Sequence, residues 1–276
     1  LLVDNRADML ARSSETVHYC TDEPLLAEHG FAALVEVNDG EARILWDAGI
    51  TQIALLENMR RLQVDPAGIT HIALSHGHGD HTAAMTEVLR AMALQPEYQR
   101  WGADLPLEEI LSRTPRRVPL VAHPAAFRER WGLGRDGTRH GPTLPPPRGA
   151  WEAAGAEVIL SEGPYRLAPG CWTTGAVPRR SFEKSGIPPR HYYRDGTTLV
   201  PDQVEDDQAI VIHVEGKGLV VLAGCAHSGI VNTLDFIRGL AGEPRIRAVI
   251  GGLHLKESNR ERLDRTVDAL RSANPG

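Results

Sequence analysis

The segment Ser75-His76-Gly77-His78-Gly79-Asp80-His81 constrains this chain more than any other part of it. Three imidazoles and a carboxylate crowded together need a shared partner. A divalent metal supplies one, because neutral imidazole and carboxylate oxygen suit zinc and its first-row neighbours. A Gly-rich turn that held histidines by accident would favour Asn, Ser and Pro instead. Residues 69–75, just before the box, are apolar and β-branched enough for a buried strand. Residues 82–92, just after it, carry helix formers with apolar side chains at helical spacing. The box is therefore expected on a strand-to-helix loop.

Two further histidines close apolar, strand-like runs as His76 does. His227 lies in Gly224-Cys225-Ala226-His227-Ser228-Gly229, and His254 in Gly251-Gly252-Leu253-His254-Leu255. Small residues before each allow close backbone approach, and strand ends are where ligand loops gather. Both are expected as metal ligands. Cys225 competes with His227, since thiolate is an excellent zinc ligand, although a small buried hydrophobe is the plainer reading of it. His123, before Pro124, also ends a strand-like run and could reach the site or the substrate. His18, His71, His140, His191 and His213 lack such a setting and read as surface or packing residues. Arg179 and Arg180 could grip a phosphate through paired N–H donors, against the plainer reading of solvated loop arginines. Asp207, in Glu205-Asp206-Asp207, precedes a strand and could reach the site, with a simple acidic turn as the alternative.

The 276 residues suit one large α/β domain or two small ones. A net charge of -6 leaves no basic footprint, so nucleic acid is not an expected partner. The three cysteines, Cys20, Cys171 and Cys225, are odd in number and widely spaced, which makes no disulfide framework and favours the cytoplasm. No run of about 18 apolar residues exists, so no membrane span is expected. The first residues, Leu-Leu-Val-Asp-Asn-Arg, show neither the basic region nor the apolar stretch of a signal peptide.

Residues 31–37 and 42–46 flank Asn38-Asp39-Gly40, a hairpin signal, and a helix is expected near 53–62. Residues 95–117 look inserted, with a short helix at 107–111, and a strand follows at 116–122. Residues 132–150 and 175–205, rich in Gly and Pro, read as long surface loops. Paired strands at 209–214 and 219–223, a helix at 230–240, a strand at 246–250 and a helix at 257–272 complete the order. The pattern predicts an α/β fold of two packed sheets with helices outside.

With these motifs in place, the chain resembles the metallo-β-lactamase superfamily over nearly its whole length, through Ile44-Leu45-Trp46-Asp47-Ala48-Gly49, the box and the two late histidine motifs. The resemblance implies a single domain over 1–276: an αββα sandwich of two mixed sheets packed face to face. It implies that His76 and His78 hold a first metal, while Asp80, His81 and His254 hold a second. Asp47 then matches the aspartate that orients the metal loop from behind. A narrower resemblance runs through Asp4-Asn5, Glu28-His29-Gly30, Ala122-His123-Pro124, residues 224–232 and residues 250–255. It points to the subfamily called 7,8-dihydropterin-6-yl-methyl-4-(β-D-ribofuranosyl)aminobenzene 5′-phosphate synthases, and gives His29 a substrate-binding role. The chain departs from the pattern at Ala83-Ala84, where Gly-Gly is usual, and at Ala32, where Ser is usual. The late bridging aspartate is also missing, with Cys225 nearest its place, which bears on the second site's affinity and metal identity.

The resemblance makes a metal-dependent hydrolase of an ester or phosphoester the leading reading. Two divalent metals are expected, zinc first, with manganese or iron as alternatives. Asp80 would orient the attacking hydroxide. The substrate is a small molecule, with a phosphate as one option. The second reading is a transferase joining a dihydropterin methyl diphosphate to a ribofuranosylaminobenzene phosphate, with Trp172, Tyr192 and Tyr193 as candidates to stack the pterin. A di-iron redox protein is a third, disfavoured because such relatives carry a carboxylate where His78 stands. A metal-binding module without turnover is a fourth, disfavoured by the intact box.

Overall fold

In the computed structural model, which describes residues 23–93, 117–134, 136–185, 191–256 and 258–273 with Leu2 and Pro275, the expected hairpin forms from β1 (Ala33–Val37) and β2 (Ala42–Trp46). Asn38 and Asp39 turn it at φ of 54° and 55°, a left-handed conformation these side chains tolerate. The helix α1 (Gln52–Arg61) leads to β3 (His71–Ala73), which pairs in parallel with β2. The box follows, with α2 (Gly79–Thr82) and α3 (Met85–Ala93). The strand β4 (Val118–Ala122) lies parallel to β3, and helix α4 (Arg148–Ala153) precedes β7 (Ala156–Leu160), the far edge of the first sheet. That sheet runs β1-β2-β3-β4-β7.

The second sheet runs β14-β13-β12-β9-β8. Its strands are β8 (Tyr165–Ala168), β9 (Cys171–Thr173), β12 (Ala209–Val214), β13 (Gly218–Ala223) and β14 (Ile246–Gly251). Between β13 and β14 runs α5 (Ile230–Ala241), and α6 (Arg260–Ala273) ends the described chain.

Alternation along the strands sorts the apolar side chains into three seams. Leu45, Ile72 and Leu120 pack against Leu55, Met59, Met85, Leu89 and Trp151 from the helices on one side. Ile44, Trp46, Ala73 and Val121 point the other way, onto Cys171, Ile210 and Leu222 of the second sheet. Val211, Val221 and Ala223 then meet Ile230, Leu234 and Ile237 beneath the last helices. Helix, sheet, sheet, helix is the order of the layers: an αββα sandwich. Among the described residues no helix is long and apolar enough to cross a membrane.

The stretches read as long surface loops hold more structure than their sequence suggests. Four strands, β5 (Arg130–Leu133), β6 (Arg139–Thr143), β10 (His191–Asp195) and β11 (Thr198–Pro201), form a third, antiparallel sheet ordered β11-β10-β5-β6. It belongs to neither layer and projects as a canopy. β10 and β11 are partly exposed and β6 is exposed along its entire length, so these three carry no apolar alternation to read, while β5 buries Arg130 and Trp131. Cation–π contacts help to hold it, with Arg128 over the Tyr193 ring at 4.3 Å and Arg194 over Trp131 at 5.0 Å. The expected insertion at 95–117, Asp4-Asn5 and Cys20 lie outside the described residues, apart from Arg117.

A buried amide ties the start of the chain to this frame. Asn58 on α1 donates to the Leu2 and Leu26 carbonyls at 2.7 and 2.8 Å and accepts from the Leu26 amide at 2.8 Å. Asn58→Ala leaves those groups without their partner and should lower unfolding stability by about 2 kcal/mol. Urea titration checks this: the midpoint falls while the slope stays unchanged.

Candidate metal centre

The box begins where β3 ends, and its backbone is held on every side. Ser75 donates its amide and its Oγ to Asp47 Oδ1 and Oδ2, both at 2.7 Å. The Gly77 amide donates to Asp206 Oδ2 at 2.7 Å, and the Gln208 amide to the Ser75 carbonyl at 3.0 Å. Gly77 has to be glycine, because a Cβ there would stand 2.0 Å from the Ala126 carbonyl oxygen. Across the sheet seam, a Cβ on Gly224 would stand 2.1 Å from Ser75 Oγ, so the late motif reaches the box only through a glycine.

The side chains then converge. His76 Nε2 and His78 Nδ1 are 3.0 Å apart. Two nitrogens on one tetrahedral zinc lie about 3.3 Å apart, given bonds near 2.0 Å. The His227 ring sits 4.7 Å from His76 and 4.9 Å from His78. His76, His78 and His227 can each point one ligand atom at a common centre, and so can His76, His81 and Cys225. His254 packs its ring 4.5 Å from His227, with its backbone at a φ of 44°. Asp80 Oδ2 lies 3.3 Å from His29 Nε2 and 3.8 Å from His81 Nε2.

The electrostatics separate these imidazoles. Burial, then the neighbouring histidines and Arg130, push His76 well below the usual histidine range. Burial likewise depresses His78 and His227, so all three are neutral and ready to bind through lone pairs. His81 is the exception: burial opposes its charge, yet the Asp47 carboxylate 2.7 Å from Nδ1 raises it well above the usual range. That contact leaves Nε2 facing Cys225 Sγ at 3.2 Å. Among the buried polar atoms, His78 Nε2 and both ring nitrogens of His227 have no hydrogen-bond partner. Buried polar atoms are rarely left so, and a cation held by the trio would give one His227 nitrogen a partner. The donor set therefore fits a first-row divalent metal.

Each residue of Glu28-His29-Gly30 has a separate task. Glu28 accepts from the amides of Ile50 and Thr51 and from Thr51 Oγ, bracing the start of α1. His29 faces Asp80, and Gly30, at a φ of 130°, passes so close to the Asp80 carbonyl that a Cβ would stand 2.4 Å from it.

A cavity of about 730 Å³ opens over these groups, lined by His29, His78, Asp80, His227 and His254 on its floor. The canopy supplies the opposite wall with Arg128, Trp131, His140, His191 and the Pro145–Pro147 run. Three residues expected to meet substrate are occupied elsewhere. His123 accepts from the Ala125 amide at 3.1 Å and caps a short helical turn. Arg179 donates through Nη2 to the carbonyls of Gln203 and Val204. Asp207 is buried and accepts from the Ser228 amide at 2.7 Å, and burial pushes its carboxyl up to about 6. None of the three lines the cavity.

Trp172, expected to stack a ring, packs beneath the last helices. Conversely, His140 and His191, read as surface or packing residues, line the cavity, and His191 lies 5.2 Å from the His78 ring. The Asp195-Gly196 pair was the signal available for His191, since Asp-Gly between Tyr192-Tyr193 and Leu199-Val200 is a hairpin turn. Arg130, buried between Asp202 and Asp206 at 2.6 and 2.7 Å, gave no such signal.

Comparison with known proteins agrees with this architecture. Residues 27–236 match the Lactamase_B family model, described as the metallo-beta-lactamase superfamily. The chain is 29% identical over 255 residues to the 7,8-dihydropterin-6-methyl-4-(beta-D-ribofuranosyl)-aminobenzene-5'-phosphate synthase of Methanocaldococcus jannaschii, covering 91% of this chain and 79% of that protein. It is 30% identical over 251 residues to the uncharacterized protein MJ0448 of the same organism, covering 89% and 80% of the two. Its fold is similar to that of Tm1679, described as a metal-dependent hydrolase of the beta-lactamase superfamily, with a TM-score of 0.67 and 21% identity over 99% of this chain and 83% of the other.

The approach of Cys225 to His81 has a spectroscopic consequence. With cobalt(II) as the probe metal, a sulfur-to-cobalt charge-transfer band is expected in the wild type and should vanish in Cys225→Ser. A cobalt-loaded wild type without that band would remove Cys225 from the ligands.

Proposed function

The chain belongs to the metallo-β-lactamase superfamily, and we propose that it is a hydrolytic enzyme with a dinuclear metal centre acting on an ester or phosphoester. The observation that carries this reading is the trio His76, His78 and His227, neutral imidazoles that can each point one nitrogen at a common centre, two of them lining the cavity. In it, His76, His78 and His227 hold one divalent metal, and Asp80, His81, Cys225 and His254 hold the other. Zinc suits this mixture of imidazole, thiolate and carboxylate best, with manganese and iron as alternatives. When bound, such metals make hydroxide available at neutral pH and polarise a carbonyl or phosphoryl oxygen.

The residues of the chain do the rest. Asp80 orients the attacking group through its carboxylate, and His29 steadies Oδ2 from 3.3 Å. Asp47 accepts a hydrogen bond from His81 Nδ1, which turns Nε2 toward Cys225. Trp131 and the proline run exclude water on the canopy side, while Arg128, His140 and His191 offer polar contacts to a small molecule that can carry a phosphate. Of the expected substrate-binding set, His29 lines the cavity, and His123, Arg179 and Asp207 do not. We place the enzyme in the cytoplasm, on its widely spaced cysteines, and treat it as one domain.

A second reading, transfer rather than hydrolysis, draws on the name of the relative that is 29% identical. Here the same centre would act on the diphosphate leaving group of a dihydropterin methyl diphosphate while an arylamine attacks the methylene carbon. The imidazole of His78, where redox relatives carry a carboxylate, speaks against the di-iron alternative.

Assays of wild type and His78→Ala test the proposal. Metal content per chain should fall in the variant, and hydrolysis of bis(p-nitrophenyl) phosphate should drop by more than about 100-fold, since losing even an outer-sphere partner costs up to that. Diphosphate release that depends on added arylamine, with no hydrolysis of phosphodiesters or esters, would replace hydrolysis by transfer. A wild type that holds no metal after reconstitution would sink both.

A further inference from the structure

The short segment between β11 and β12 touches both loops that carry the histidine trio. Asp206 and Asp207 are consecutive and both buried, at 1% and 2% exposure. Asp206 Oδ2 accepts from the Gly77 amide, which lies between His76 and His78, at 2.7 Å. Asp207 Oδ2 accepts from the Ser228 amide, which follows His227, also at 2.7 Å. Gln208 extends the grip, donating its amide to the Ser75 carbonyl and its Nε2 to the Leu74 carbonyl. Arg130 balances the charge on Asp206 at 2.7 Å and ties the segment to the canopy, where it also holds Asp202.

From this juxtaposition we infer that Asp206 and Asp207 are positioning residues that set the distance between the His76–His78 loop and the His227 loop, and so the bite of the first metal site. Consecutive Cα atoms are about 3.8 Å apart and cannot separate. Two amides pinned to consecutive carboxylates therefore cannot drift independently, although the loops are more than a hundred residues apart in sequence. The carboxylates touch neither the cavity nor the trio's nitrogens; they act through the backbone. A ligand loop left free would have to be ordered at the moment of binding, and affinity would fall accordingly. This inference rests on the metal centre proposed above, and it adds which groups hold that centre in register.

The test is zinc affinity, read by competition with a chromophoric chelator, at a temperature where each metal-free variant is folded by circular dichroism. Asp207→Ala removes the acceptor for Ser228 and should weaken zinc binding by about 10- to 100-fold, the usual cost of losing an outer-sphere partner. Asp207→Asn keeps an acceptor and should return affinity to within a few-fold of wild type, on the same scale. Should Asp207→Ala fail to fold, Asp206→Glu decides. It retains charge and acceptor but displaces the Gly77 amide by roughly 1.5 Å, one carbon–carbon bond, and should weaken zinc comparably. Asn58→Ala, buried but remote from the centre, should lose stability without losing affinity. A folded Asp207→Ala or Asp206→Glu with wild-type zinc affinity overturns the inference while leaving the metal centre standing. It is equally overturned if Asn58→Ala weakens zinc as much, since the effect would then be general destabilisation. A wild type that binds no zinc defeats the centre and the inference together.

Discussion

The carboxylate of Asp47 lies wholly buried behind the box, and the arrangement in front of it depends on how that charge is satisfied. An ionised carboxylate away from water is expensive unless strong donors surround it. Asp47 has three: the Ser75 amide, the Ser75 hydroxyl and His81 Nδ1. Those bonds fix where β3 ends and which way the His81 ring turns its Nε2. Gly224 then brings the second sheet against the same carboxylate, where a Cβ would stand 3.1 Å from Oδ2. One buried charge thus sets the seam along which the two ligand loops meet.

Backbone strain gathers at the same seam. Asp47, Ala226 and His254 all adopt positive φ, at 60°, 52° and 44°, and none is a glycine. Such conformations cost energy and persist where the surrounding structure dictates them. Here each aims a ligand or its supporter: Asp47 at His81, Ala226 between Cys225 and His227, and His254 at the His227 ring. The late loop gains its turn at Gly229, where a Cβ would stand 2.4 Å from Glu183 Oε2. Glu183 accepts from the Val231 and Asn232 amides and so stabilises the start of α5 with a carboxylate from a distant segment. Asn232 in turn accepts from the Arg180 and Ser181 amides, so the two segments brace each other.

The two main sheets and the box were legible because their signals are local. Residues 44–46 and 209–212 are apolar on both faces, as strands buried between layers must be, and the crowding of His76, His78 and His81 is visible without any fold. The canopy was not legible, because its strands gain no apolar face to alternate. β6 is fully exposed, and Pro142 and Gly141 within it read as loop. The backbone contacts of Arg179, His123 and Asp207 were not legible for a related reason. A polar side chain near a site can serve backbone as well as substrate, and sequence does not reveal which carbonyl or amide lies within reach. Arg130 and Asp206 escaped notice because their partnership spans 76 residues and appears only once the canopy folds over the box.

The central claim is that the converging imidazoles form a metal centre, and anomalous diffraction at a metal absorption edge addresses it most directly. Crystals grown with zinc should give a peak bounded by His76, His78 and His227, and a second beside His81 and Cys225. Peaks confined to surface carboxylates, or none between the imidazoles at full zinc occupancy in solution, would contradict the account.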